Sequence, residues 1–159
     1  MEPFIGAIAA VLMSVSQPSL PEERANHLAT IFVEEAAANG EVDAFELMAV
    51  ASVESGRTFR SDLESSAGAC GMMQVIPRFQ RERHSCEAYK TDDRLSVRIA
   101  AQALISWRNY EERHCRGGHD YPAHYNSGNR VIPRSLRYAR TVRGLQEQFE
   151  RQHQSFVVQ

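Results

Sequence analysis

The sequence predicts an all-α, compact domain of about six helices. Three observations carry that expectation. Apolar residues recur three and four positions apart in several segments. Helix start and stop signals bound those segments. No stretch alternates convincingly between apolar and polar residues, as a half-buried strand would.

Residues 1–18 contain "MEPFIGAIAAVLMSVSQ", whose apolar run of about a dozen residues is too short to span a membrane. It reads as a core helix or an interfacial one, the latter giving weak membrane contact through residues 3–16. The alternative is a secretory signal with Ser14-Val-Ser16 as its small-x-small site, against which stands Glu2 where such signals carry Lys or Arg. The rest of the chain, residues 19–159, reads as the main domain.

After Pro18 and Pro21, Ser19 and Glu22 form a capping-box pattern, and Asn39-Gly40 supplies the stop. Leu28, Phe32 and Ala36 recur between them at helical spacing. Asp43 and Glu46 repeat the box before "AFELMAVASVES", a strongly apolar helix ending at Gly56. Residues 57–70, rich in Ser, Gly and Arg, read as a loop. "GMMQVIPRF" reads as a short helix cut by Pro77. The longest helix follows, with Thr91 or Asp92 as its cap and Leu95, Ile99, Ala103 or Leu104, and Trp107 on one stripe, which places the tryptophan in the core. "RGGHDYPAHYNSGN" is a loop with one short helical turn, and "IPRSLRYARTVRGLQEQFERQHQ" is the final helix.

Charge is distributed unevenly. Residues 1–56 hold nine acids and one base, whereas residues 57–159 hold eleven acids and seventeen bases. Arg130, Arg134, Arg137, Arg140 and Arg143 form a stripe that reads as a solvated helix face. No nucleic-acid motif accompanies it, so no specific nucleic-acid partner is expected. The three cysteines fit no CxxC pattern. A bridge from Cys86 to Cys115 is open to the chain in an oxidising compartment, and Cys70 reads as a small buried residue. His84, Cys86, His114, Cys115 and His119 are too sparsely spaced for an ordinary structural zinc site, so no metal is expected.

Glu54 is the unusual residue. It ends a helix presenting Leu47, Val50, Ala51 and Val53. The partial negative charge of a helix C-terminus disfavours a second negative charge there, and partial burial acts in the same direction. Both raise the carboxyl pKa towards neutrality, as suits a general acid for a glycosidic oxygen.

The residues around it carry a resemblance. Glu54-Ser55, then Ser65 and "GACGMMQVIP", then "AHYNSG", then Tyr138 are similar, in order, to the lytic transglycosylases with a lysozyme-like catalytic domain of the soluble lytic transglycosylase and goose type. The resemblance spans residues from about 43 to 145 and implies a lysozyme-like helical fold. It implies Glu54 as the catalytic residue, with Ser55 beside it as support and Ser65 as a cleft serine. Gly71, Met72, Met73 and Gln74 match the family's "GLMQ", with Met in the Leu position. His124, Tyr125, Asn126, Ser127 and Gly128 match "AYNAG", with His in place of Ala. Met73, Gln74, Tyr125, Asn126 and Tyr138 are thereby expected at the substrate. The loop between Glu54 and Gln74 is about two residues longer than the family's, and "ESxFNP" is replaced by "ESGRTFRSD".

The resemblance implies cleavage of the bond between N-acetylmuramic acid and N-acetylglucosamine in peptidoglycan glycan strands, with 1,6-anhydro ends and no cofactor. A goose-type muramidase would need a second carboxylate, for which Asp62 and Glu64 are the nearby candidates. A catalytically silent glycan-binding virion protein is the other alternative. The expected location is a phage virion, with other virion proteins as candidate partners, or the host periplasm and cell wall. Secretion through an N-terminal signal is the alternative route.

Overall fold

The computed structural model describes residues 2–115 and 121–157. Among these residues the fold is all-α, with seven α-helices and one 3-10 turn: α1 (Glu2–Val15), α2 (Glu22–Asn39), α3 (Ala44–Glu54), the 3-10 turn Pro77–Phe79, α4 (Cys86–Thr91), α5 (Asp93–His114), α6 (Tyr121–Ser127) and α7 (Pro133–Val157).

The apolar helix α3 is the centre of the domain. From Leu47 to Ala51 it is buried without interruption, so it must be covered on all sides. α2, α5 and α7 pack against it, α1 lies on α2 and α7, and α6 bridges α5 and α7. Ile8, Val11 and Leu12 of α1 belong to the same core cluster as Leu28, Phe32 and Leu47. Burying side chains of this size stabilises a fold by about 1.5–3 kcal/mol each. No helix among the described residues is long and apolar enough to cross a membrane.

Local capping chemistry sets several boundaries. Gly40 adopts φ 68° and donates its N–H to the Ala36 carbonyl, ending α2. The Asp43 side chain accepts from the Glu46 N–H at the start of α3, and Asp92 accepts from the Leu95 N–H at the start of α5.

Other expectations need correcting. Ser19 does not cap α2: its hydroxyl donates to the Met13 carbonyl at the end of α1, and Pro21 occupies the cap position without a side-chain bond. Glu46 does not fold back to complete a capping box, because Tyr121 and Arg108 hold its carboxylate. An additional helix, α4, precedes α5 and is capped by Ser85, which accepts from the Ala88 N–H.

Residues 71–74 form a turn, not a helix. Cys70 and Val75 exchange both backbone hydrogen bonds across it, at 2.8 and 2.9 Å. Gly71 has φ 75°, and a Cβ there would lie 2.4 Å from the Tyr89 carbonyl oxygen, so only glycine lets the turn sit this close to α4. Pro77 opens the 3-10 turn, consistent with its fixed φ.

The disulfide also differs from the expected pairing. Cys70 bonds Cys86, with Cα atoms 5.4 Å apart, and Cys115 is free. The reason is geometric: Cys86 lies at the start of α4, just ahead of α5, while Cys115 follows the far end of that 22-residue helix, itself about 30 Å long. The bridge removes Cys86 from the sparse His/Cys set, of which His119 lies outside the described residues. Among those described, no group of three or more His, Cys, Asp or Glu side chains is arranged to hold a metal.

Candidate active site

Glu54 is the last residue of α3, and the chain turns sharply behind it. Ser55 donates its N–H back to the Ala51 carbonyl, Gly56 takes φ 61°, and Arg57 and Phe59 also have positive φ. Positive φ at two non-glycine residues requires support from the surroundings. The Ser55 hydroxyl accepts from the Phe59 N–H at 2.9 Å, Thr58 Oγ1 donates to the Ser55 carbonyl, and the Arg57 carbonyl accepts from the Gln17 N–H. Ser55 is buried and its hydroxyl is engaged with this backbone. It fixes the end of α3 and so the position of Glu54.

The Glu54 carboxyl is half-buried. Loss of solvent raises its pKa to about 7, and the Tyr138 phenol offsets only part of that rise. No cation is among the groups acting on it. Tyr138 is 9 % exposed, and its hydroxyl makes no protein hydrogen bond of normal geometry, although it is close enough to act on the Glu54 carboxyl. Tyr125 also lies within range of that carboxyl. Burial first, and then the negative charge of Glu54, push both phenols well above their ordinary range, so both remain proton donors.

Tyr125 donates its hydroxyl to the Met73 carbonyl at 2.8 Å, joining α6 to the 71–74 turn. The Met73 side chain is fully buried, so its contribution at the surface is this carbonyl. Gln74 has φ 50° and donates its side-chain amide to the Gly71 carbonyl at 3.0 Å. The structure thus brings together Glu54, the Met73 carbonyl, Gln74, Tyr125 and Tyr138. Ser65 stands apart: its hydroxyl accepts from the Ala69 N–H within the preceding loop, and it is not among the groove-lining residues.

A groove of about 1150 Å³ runs between three walls. One is the segment from Gln74 to Glu82, the second is the face of α5 that includes Gln102, Ala103 and Ser106, and the third is the end of α6 with the exposed Asn126. Glu54 lies beside this groove and not in its lining. Tyr125 lines the groove and also lies within range of the carboxyl. Asp62 and Glu64 are exposed, paired with Arg60 and Lys90, and outside the groove. Glu82, on the rim 3.5 Å from His84, is the carboxylate in the described lining.

Sequence reasoning missed Trp107 as a groove residue. On the stripe Leu95, Ile99, Ala103 or Leu104, and Trp107, the core does take Leu95, Ile99 and Leu104, together with Val97, Ala100 and Ala101, but Trp107 is only half-buried. Ile99, Ala103 and Trp107 line the groove. Helical spacing shows that residues share a face, not what that face meets. The only available signal was the pair of small and polar residues, Ala103 and Ser106, beside the tryptophan.

A second cluster holds α6 in place. Arg108 of α5 donates to the Tyr121 hydroxyl at 2.8 Å and to the Glu46 carboxylate at 3.3 Å, and Tyr121 donates to Glu46 as well. Arg108 and Arg143 lie over the Tyr121 ring at 4.7 and 5.3 Å. Tyr121 is the first residue of α6, so this cluster fixes the helix that carries Tyr125. The remaining arginines of the stripe, Arg130, Arg134, Arg137 and Arg140, are exposed.

Comparison with curated proteins and with solved structures gives no match. The family model described as the Transglycosylase SLT domain matches residues 31–145. That span, well over half of the chain, runs from within α2 to within α7 and takes in Glu54, the 71–74 turn, all of α5 and α6, and Tyr138. The chain therefore belongs to the SLT transglycosylase family, lytic enzymes that act on the glycan strands of peptidoglycan.

Proposed function

We propose that the protein cleaves the β-1,4 bond between N-acetylmuramic acid and N-acetylglucosamine without water, leaving 1,6-anhydromuramic ends, with Glu54 as both acid and base. The observation that carries this reading is the Glu54 carboxyl, half-buried and with a pKa of about 7. A carboxyl of that acidity is largely protonated in mildly acidic solution, still substantially so at neutrality, and can donate to the glycosidic oxygen. The carboxylate left behind is a base matched to the same pH. It accepts the proton of the muramic C6 hydroxyl as that oxygen closes on the anomeric carbon. Tyr138, still protonated beside it, hydrogen-bonds the carboxylate in this second stage. Gln74, Asn126 and Tyr125 bind the sugars from the groove walls.

A hydrolytic route needs a second carboxylate beside the scissile bond. The pairing of Asp62 with Arg60 and of Glu64 with Lys90, both away from the groove, weakens that reading. Glu82 is the remaining candidate. Mass spectrometry of muropeptides from digested sacculi decides between the routes. Anhydro ends from wild type and from Glu82→Gln, and none from Glu54→Gln, are expected. Reducing ends from wild type would establish a muramidase. A Glu54→Gln protein that clears walls as well as wild type would instead leave a catalytically silent glycan-binding role.

We further propose that the enzyme works at the periplasm or cell wall, carried there in a virion alongside other virion proteins. The Cys70–Cys86 bridge supports an oxidising compartment. The burial of Ile8, Val11 and Leu12 supports a working chain that keeps α1, rather than one that inserts residues 3–16 into a membrane or sheds them as a signal. Detection of the intact chain in purified virions is expected; recovery from periplasm of a chain trimmed after Ser16 would refute this.

A further inference from the structure

Trp107 is the one large aromatic side chain that α5 contributes to the groove lining, and it is half-buried. Its indole is held from two directions. The His124 ring stacks on it, with centroids 5.2 Å apart and planes inclined by 14°. The Tyr110 ring meets it edge-on at 5.5 Å and 84°, and also meets His124 at 5.5 Å. His124 is only 3 % exposed, and its Nδ1 lies 2.8 Å from the Gly128 carbonyl oxygen, so the stacked ring is itself fixed. The indole is thus oriented before any ligand arrives, with one face covered by His124 and the residue lining open space beside Ala103 and Ser106. Their small side chains leave room along α5. His124 directly precedes Tyr125, which lies beside the catalytic carboxyl. The platform and Tyr125 thus line the same groove.

We propose that Trp107 is a saccharide-stacking platform, a binding subsite for the apolar C–H face of an N-acetylhexosamine ring neighbouring the one that is cleaved, and that His124 is its positioning residue. This rests on the reading of the groove as the glycan site. A flat aromatic face pairs with the axial C–H bonds of a pyranose, while Gln102 and Asn129, also in the lining, offer polar groups to its hydroxyl and acetamide substituents. Because the ring is already fixed, little conformational freedom is lost on binding.

The chain has a single tryptophan, so its fluorescence reports this position alone. The test titrates the full-length Glu54→Gln protein with soluble N-acetylglucosamine oligomers, following indole emission and calorimetric heat together. A saturable change in emission, with the same midpoint as the heat, is expected. In the catalytically intact background, Trp107→Ala should raise KM for glycan by roughly 3- to 10-fold with kcat little changed, Trp107→Phe should recover most of that, and His124→Ala should give a smaller KM rise. Calorimetric binding with unchanged emission overturns the proposal even if Trp107→Ala folds poorly. So does a Trp107→Ala enzyme whose KM equals that of wild type, or one that loses kcat alone. If the oligomers do not bind and sacculi are not cleaved, the proposed function itself has failed, and the subsite with it.

Discussion

Two carboxylates on α3 share a helix and differ in their use. Glu46 and Glu54 are eight residues apart, about 12 Å along the axis, and both have a raised pKa whose largest cause is loss of solvent. Around Glu46 that cost is offset by a phenol, a guanidinium and a second arginine further away. Around Glu54 the only offsetting group is the Tyr138 phenol. The same residue type is therefore a structural tie where it is compensated and, on the proposed function, the reactive group where it is not. The difference lies in which neighbours the fold supplies, since both positions are glutamates on one apolar helix.

The strongest way to break this comparison is to neutralise each carboxylate in turn. Glu54→Gln should lower turnover on sacculi by roughly 10²–10⁴-fold while the protein stays folded, as judged by circular dichroism. Comparable turnover would end the assignment. Glu46→Gln should do the reverse. It leaves Arg108 and Tyr121 without their charged partner and should cost about 2 kcal/mol in denaturant unfolding, with a smaller loss of turnover through a loosened α6. Equal stability would show that the cluster is not holding the helix.

The disulfide tests whether the turn beside Glu54 needs support from outside. Removing it with Cys70→Ser and Cys86→Ser together should cost about 3 kcal/mol, from a loop with a sequence separation of 16. It should also lower turnover, because Gln74 and the Met73 carbonyl lie on the tethered turn. Thermal melts with and without reductant check this.

Protonation sharpens the comparison further. The folded pKa of Glu54, about 7, lies above the ordinary 4.5, so the folded state binds the proton more tightly than the unfolded chain. The associated stability is complete below about 4.5 and is lost as pH rises through about 7. Glu54→Gln should remove that loss and be more stable than wild type at pH 8, by at most about 3 kcal/mol. Turnover, which needs the protonated acid, should fall about tenfold per pH unit above the same value. A profile flat to pH 9 would contradict the acid role. The smallest effect is expected for Tyr138→Phe. Losing the phenol proposed to hydrogen-bond the carboxylate in the second stage should reduce kcat by roughly tenfold and raise the apparent acid pKa, since the phenol now lowers it.

Much of the fold was legible because its signals are local. Gly40, Asp43 and Asp92 act on backbone groups within four residues, so their effect can be read without knowing the rest of the chain. Ser19 and Glu46 carried the same kind of signal and yielded to partners elsewhere, the Met13 carbonyl and the Arg108–Tyr121 pair. The 71–74 segment looked helical by composition. It is a turn because Gly71 lies against the Tyr89 carbonyl and Cys70 is tied to Cys86, contacts that no local pattern encodes. Among the site residues, Glu54, Tyr125 and Tyr138 lie within range of one another and Gln74 lies on the turn that Tyr125 bonds, whereas the hydroxyls of Ser55 and Ser65 turn to nearby backbone.

By itself the sequence determined the helical class, most of the helix boundaries and the chemical groups available for catalysis, since spacing and capping act over a few residues. Tertiary structure alone decided which cysteines pair, which face of α5 borders the groove, and which of two glutamates on α3 stays uncompensated. Periodicity specifies that side chains share a face but not what covers it, and a carboxyl's acidity depends on the solvent and partners that distant segments remove or supply.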